Sequence, residues 1–153
     1  MKYTFVAVGK LKRGFYKQGC DHYLVRLNKL AKADLIEVRD GKASVASARQ
    51  QEESDALLTH SSGYRIALDE RGKTLTSVQI AEVITALENR AISHMSVLIG
   101  GAEGHSDDLR KTCDAIWRLS DLTLPHELAR LVLLEQLYRA ETIRANHPYH
   151  REG

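Results

Sequence analysis

Ser96-Val97-Leu98-Ile99-Gly100-Gly101-Ala102-Glu103-Gly104-His105-Ser106 is the stretch on which the reading of this chain turns. Four residues, apolar after Ser96, have the length of a buried strand. Two glycines follow at once, and a third comes three residues later. Ser106 or Asp107 can then cap a helix that carries Leu109, Cys113 and Ile116. A strand running through a glycine turn into a helix is the repeating unit of parallel α/β proteins. Glycines in such a turn let backbone N–H groups come close to a ligand. The spacing is Gly-Gly-x-x-Gly, not the Gly-x-Gly-x-x-Gly of dinucleotide folds. Taken alone, the loop is equally well a tight strand–helix turn.

The same alternation extends to both sides. Tyr3–Val8 reads as a first strand closed by Gly9, and Phe15–Leu30 as a helix with Phe15, Gly19, Tyr23, Leu27 and Leu30 on one stripe. Leu35–Val38 is a second strand. Ser44 is placed to cap a polar surface helix reaching about His60. Tyr64–Asp69 is a third strand, and Glu70-Arg71-Gly72-Lys73 reads as a turn. Thr76 or Ser77 opens a helix whose stripe is Ile80, Ile84, Leu87 and Ala91. Beyond the glycine loop, Ser120–Leu124 reads as a short strand ending in Pro125-His126. A last helix runs from about Glu127 to Arg144. The pattern predicts one α/β domain over residues 1–153 with a mostly parallel sheet.

The last helix is apolar nearly all round. Leu131, Val132, Leu134 and Tyr138 lie on one face, and Leu133 and Leu137 nearly opposite, beside Ala129 and Ala140. Such a helix is covered on both sides. A second copy is the simplest cover in a chain of 153 residues, so a homodimer is expected.

Composition excludes several classes. No apolar run approaches the roughly 18–20 residues of a membrane span. The apolar start, Met1–Gly9, is too short for a signal peptide and lacks a small-residue cleavage site. A cytoplasmic protein is therefore expected. Cys20 and Cys113 form no Cys-x-x-Cys pair, which argues against a disulfide framework and a cysteine zinc site. His147-x-x-His150 lacks a third ligand at a suitable spacing, so no metal is expected. There is neither a P-loop nor a Gly-x-Ser-x-Gly nucleophile motif. A net charge of +2 does not by itself argue for nucleic acid. The basic and aromatic end does suit phosphate contacts and base stacking: Arg130, Arg139, Arg144, His147, Tyr149, His150 and Arg151. Arg130 and Arg144 fall within about 40° of one another on a helix. The bland alternative is a solvated helix end whose positive charge the helix dipole favours.

Five segments occur together. They are Gly9 after the first strand, LIGGAEG at Leu98–Gly104, LSDLTLPH at Leu119–His126, LLEQLYRA at Leu133–Ala140 and NHPYHRE at Asn146–Glu152. In order and spacing they resemble the ribosomal RNA large subunit methyltransferase H family of the SPOUT superfamily. The resemblance spans essentially the whole chain and is densest in the last third. It implies a parallel-sheet α/β knot, with a C-terminal trefoil threaded through a loop, and a homodimer. It also implies methyl transfer from S-adenosyl-L-methionine, giving S-adenosyl-L-homocysteine and needing no metal. The target it implies is N3 of pseudouridine 1915, in helix 69 of 23S ribosomal RNA within the assembled ribosome.

Carried over by position, the cofactor pocket is Leu68, Gly100, Gly101, Leu119, Ser120, Asp121, Leu122, Thr123 and Leu124. The adenine would be held by the backbone of 119–124, and Glu103 is near enough in sequence to face the sulfonium. Arg130, Arg139, Tyr149, His150 and Arg151 would face the RNA. Tyr149, His150, Arg151 and Arg130 are the catalytic candidates. The N3 proton needs a base, and His126, His147 and His150 are the histidines in reach. His105 stands where relatives often carry an aliphatic residue, and Ala102 where they carry proline or serine. The rival readings are a SPOUT enzyme acting on another RNA, such as tRNA, and a non-catalytic dimeric ribosome-binding protein.

Overall fold

A computed structural model describes residues 1–151; Glu152, which closes the tail motif, and Gly153 lie outside the described residues. The elements alternate as β1 (Lys2–Val8), α1 (Gly14–Leu27), β2 (Lys32–Val38), α2 (Ala46–Thr59) and β3 (Tyr64–Thr74). They continue as α3 (Ser77–Asn89), β4 (His94–Ile99), α4 (Asp107–Thr112), β5 (Ala115–Arg118) and α5 (His126–Arg144). The five strands form one parallel sheet in the order β2-β1-β4-β3-β5. This is the parallel α/β architecture that the sequence pattern predicts.

Side chains alternate across the sheet. Tyr3, Phe5 and Ala7 of β1 and Met95, Val97 and Ile99 of β4 point to one layer, closed by α1, α3 and α5. Val6, Val8 and Leu98 point to the other, where Leu57 of α2 and Leu109 of α4 cover them. A strand buried on both faces must read as a near-continuous apolar run, as β1 and β4 do. Two helix starts carry their expected caps. Thr76 Oγ1 accepts from Gln79 N–H at 3.1 Å, and Gln79 Oε1 accepts from Thr76 N–H at 2.8 Å, a reciprocal capping box. Ser106 caps α4 through Leu109 N–H.

Several expectations fail. First, β5 is Ala115–Arg118, and Ser120–Leu124 is irregular. Leu109, Cys113 and Ile116 keep helical spacing, but α4 stops at Thr112 and Ile116 belongs to β5. Second, 70–73 is not a turn. β3 continues through it with a register shift against β5 between Leu68 and Lys73. A Cβ on Gly72 would sit 2.6 Å from the Trp117 carbonyl carbon. This glycine marks a bulge in close backbone contact. Third, Phe15 and Leu30 are not core residues: they are 61% and 40% exposed, whereas Leu27 of the same stripe is buried as expected, together with Cys20. Likewise Ser44 does not cap α2; Val45 takes the N-cap position without a side-chain bond.

Helix α5 is covered on both sides, as its pattern predicts. Its all-round apolarity has an intrachain cause, because α5 lies between α1 and α3 on the sheet. Leu133 and Leu137 are fully buried, and Leu131 packs on Gly19 of α1. The helix therefore gives no argument for a second copy.

Candidate active site

The carboxyl ends of β3, β4 and β5 surround an open cleft of about 1020 Å³. Parallel sheets bind ligands at this edge, and the volume is at the upper end of small-molecule pockets. Leu68 comes from β3, Gly100 and Gly101 from the turn after β4, and Leu119, Ser120, Asp121, Leu122, Thr123 and Leu124 from the segment after β5. The fold thus brings all nine cofactor candidates onto one cavity. His126 and Ala129, from the first turn of α5, also line it, as do Asp69, Arg71, Arg110 and Arg118.

The glycine wall is tightly held. A Cβ on Gly101 would lie 3.0 Å from Val8 Cγ1. One face of α2 braces the loop from behind. Arg49 Nη2 donates to Glu103 Oε1 at 2.9 Å, and Arg49 Nη1 to Ala43 O at 2.9 Å. Gln50 Nε2 donates to Glu103 O at 2.8 Å, and Ser106 N–H to Ser54 Oγ at 3.1 Å. Arg110 Nη1 then ties His105 O, at 2.7 Å, to Asp69 Oδ2, at 3.2 Å. Glu103 is therefore paired with Arg49 through Oε1 while it lines the cleft, and the pairing offsets part of its charge there.

His105 is buried, with Nε2 3.1 Å from Leu98 O. A carbonyl only accepts, so Nε2 carries the proton. Nδ1 is buried without a partner among the described residues. Burial holds the pKa below the ordinary histidine value, and the ring is neutral.

The facing wall is loose. Among the described residues, 119–124 make no backbone-to-backbone hydrogen bond beyond the strand ladder; Ser120 Oγ accepts from Leu122 N–H at 2.9 Å. Leu122 is 76% exposed. Asp121 forms an exposed ion pair with Arg118 at 2.8 Å. Free backbone donors and acceptors beside Leu68, Leu119 and Leu124 can hold a flat heterocycle by its polar edge and its faces.

The catalytic and RNA-facing candidates do not gather at this cleft. Arg130 is 1% exposed. Its Nη1 is 2.6 Å from Glu37 Oε2, and its Nη2 donates to Gly9 O at 2.8 Å. A buried cation needs such partners, so Arg130 ties α5 to the ends of β1 and β2 and does not face RNA. Arg144 bonds Glu141 and Glu88 and is likewise occupied. The tail folds back on the far half of α5. Arg139 donates to Glu135 at 3.0 Å and to His150 Nδ1 at 3.1 Å, and stacks 4.8 Å over the Tyr149 ring. Tyr149 OH donates to Glu135 Oε1 at 3.1 Å, and burial leads the causes that raise its pKa. Arg151 is exposed.

Of the three candidate bases, only His126 lines the cleft. Cys20 and Cys113 are free thiols that burial pushes up to about 11, far from nucleophile range. Among the described residues, no cluster of His, Cys, Asp or Glu could hold a metal, and no helix is long and apolar enough to cross a membrane. Sequence reasoning missed Arg49, Gln50, Ser54, Asp69 and Arg110. Their one signal was polarity, which on a helix reads as a solvated face.

Comparison with known proteins agrees with this geometry. A family model described as "Predicted SPOUT methyltransferase" matches residues 1–150. The chain is 41% identical over 152 residues to "Ribosomal RNA large subunit methyltransferase H" of Gloeobacter violaceus, covering 98% of this chain and 99% of that one. A methylase family protein of Haemophilus influenzae superposes with a TM-score of 0.59 at 11% identity, over 98% of this chain and 70% of its own. A Legionella pneumophila methyltransferase solved with bound SAM gives 0.54 at 11% identity, over 92% of this chain and 66% of its own. At such identities the two structures show a common fold.

Proposed function

The chain belongs to the SPOUT methyltransferase family, and from that premise we propose that it methylates 23S ribosomal RNA, with S-adenosyl-L-methionine as methyl donor and S-adenosyl-L-homocysteine as product. The target is N3 of pseudouridine 1915 in helix 69, in the cytoplasm. The observation that carries the reading is the meeting of Leu68, Gly100, Gly101 and 119–124 on one cleft, in a chain whose near-full-length relatives bear that enzyme's name. Family membership also carries the expectation of a C-terminal trefoil knot over a single domain.

The residues present fit the cofactor. The loose wall offers unpaired backbone groups to an adenine, and the glycine wall lies close against His105 and Val8, which fixes its shape beside the ligand. S-adenosylmethionine supplies, when bound, a methyl group on a good thioether leaving group. The protein's part is then mainly proximity and orientation. The N3 proton must also leave. His126 is the exposed histidine at the cleft within one chain; His105 also lines it but is buried. His150 is pinned to Arg139, thirteen residues further along α5, or about 20 Å at 1.5 Å per residue. Tyr149, His150 and Arg151 can therefore serve the reaction only from a second copy, or after leaving α5.

A homodimer meets that need. Its support is the exposed apolar surface of α1, where Phe15 and Val25 are each 61% exposed. Two tails at one composite site would suit recognition of the assembled ribosome over a short hairpin.

The test uses ribosomes and large subunits from cells lacking the protein, incubated with purified protein and methyl-labelled cofactor. Mass spectrometry should place the label at N3 of pseudouridine 1915, with whole ribosomes outrunning a helix 69 hairpin. Label in tRNA or on another base would make it a different SPOUT enzyme. No label, together with no calorimetric binding of the cofactor, would make it a non-catalytic binding module.

A further inference from the structure

The carboxyl edge of the sheet has a second half that the cleft does not use. β1 and β2 end there, and the turns after them carry Lys10, Lys12, Arg13, Arg39 and Lys42, all exposed. Nearby Lys17, Arg49, Arg118 and Arg130 form ion pairs. Among the described residues these five do not. The two turns lie side by side: Gly9 N–H donates to Val38 O at 2.7 Å. Four acids outside ion pairs share the area. Asp40 lies by Gly9, while Glu52, Glu53 and Glu127 accept the backbone N–H groups of Lys42, Gly41 and Lys12. Five cations against four acids leave the balance positive.

This shoulder borders the cleft on two sides. Lys12 is bonded to Glu127 of α5, next to His126, which lines the cavity. Val8 at the end of β1 is the residue against which Gly101 packs. The sequence shows the same polarity. Residues 1–32 hold eight lysines and arginines against the single acid Asp21, a net +7 in a chain whose total is +2. Of these eight, Lys10, Lys12 and Arg13 lie on the shoulder, which Arg39 and Lys42 complete.

We infer that this basic shoulder is where the phosphate backbone of the substrate RNA docks, beside the cleft in which its base reacts. The inference rests on the RNA methyltransferase reading and adds where the RNA lies. Solvated, unpaired cations at an active-site border supply attraction and register, while the reacting base is read in the pocket. The tail of α5, where sequence pattern puts the RNA contacts, is held in internal hydrogen bonds.

The test compares the triple variant Lys10→Ala/Lys12→Ala/Arg13→Ala with Lys29→Ala/Lys32→Ala, whose lysines lie at the opposite edge of the sheet. Each is measured for melting, for calorimetric cofactor binding, and for methylation of large ribosomal subunits across a salt series. The triple variant should keep its melting temperature, cofactor affinity and kcat within about twofold. Its KM for subunits should rise at least roughly tenfold, and the slope of log KM against log salt should fall by about 2–3, near 0.7–0.9 per lost contact. The Lys29/Lys32 variant should match wild type. A wild-type KM and slope in the triple variant, or an equal defect in the control, would overturn the inference. So would wild-type binding to phosphatidylglycerol vesicles that the triple variant loses while its KM is unchanged. If wild type itself fails to methylate subunits, the enzymatic reading falls and the docking inference with it. If wild type methylates and the triple variant is unimpaired, only the docking inference falls.

Discussion

Residues 100–105 and 119–124 face one another across the cleft and are held by different means. Side chains of α2 and α4 fix the first, and its histidine is buried beneath it. The second has an open backbone, an exposed Leu122 and a surface ion pair. The difference suggests a division of labour. The glycine wall is shaped before the ligand arrives, and the 119–124 wall gains its order from the ligand. Ordering a loop on binding costs affinity, so the cleft keeps that cost to one side.

The largest expected effect comes from spoiling the fixed wall. Gly101→Val places a branched side chain where a Cβ alone is already 3.0 Å from Val8 Cγ1. Overpacking of this kind costs about 1–3 kcal/mol of stability. Cofactor affinity should fall by roughly a hundredfold as the side chain, aimed at Val8 and Glu53 behind the loop, forces the glycine wall out of shape. A calorimetric Kd within threefold of wild type would show that the glycine wall is not the binding surface. Next comes removal of the brace. Arg49→Ala/Gln50→Ala deletes the bonds to Glu103, and each lost bond is worth about 1 kcal/mol. Affinity should drop about tenfold, with a lower melting temperature, and unchanged affinity would mean that the loop holds its shape unaided.

A smaller effect is expected on the loose wall. Leu122→Ala should leave stability within about 0.5 kcal/mol, as for other exposed sites. Cofactor affinity should still weaken severalfold, because Leu122 lines the cleft. A fall in melting temperature with unchanged affinity would reverse the roles assigned to the walls. The smallest effect is a pH dependence. Burial lowers the His105 pKa in the folded state, while the unfolded chain titrates near 6.5. Below about pH 6.5 the unfolded state binds a proton that the folded state refuses, so stability falls as pH drops through that window. Above it the histidine contributes no slope. His105→Leu should flatten the acid side of a melting-temperature profile, and an unchanged profile would assign that slope to other groups.

The glycine wall was legible because its signals are local. A strand, a turn and a cap follow one another from Ser96 to Ser106, each with its own residue type. The loose wall was placed correctly on the cleft but misread as a strand. Its alternation of Leu119, Leu122 and Leu124 with short polar residues looks pleated. The true strand, Ala115–Arg118, was hidden by the helical spacing that links Leu109, Cys113 and Ile116. The brace was not legible at all, because Arg49, Gln50 and Ser54 meet the loop only through tertiary packing. The same holds for Arg130, whose partners Glu37 and Gly9 lie at the other end of the chain. Apolarity on every side of α5 was real, but pattern alone cannot tell a neighbouring helix from a neighbouring subunit.

Amide hydrogen exchange with and without S-adenosylmethionine tests the two-walled cleft most directly. Gly104 and Ser106 amides are already bonded, to Gly101 O and Ser54 Oγ, and should be slow in both states. The amides of 119–124 should exchange fast in the free protein and become strongly protected when the cofactor is added. Protection gained at 100–106 while 119–124 stays unchanged, or no cofactor-dependent protection at either wall, would contradict the account.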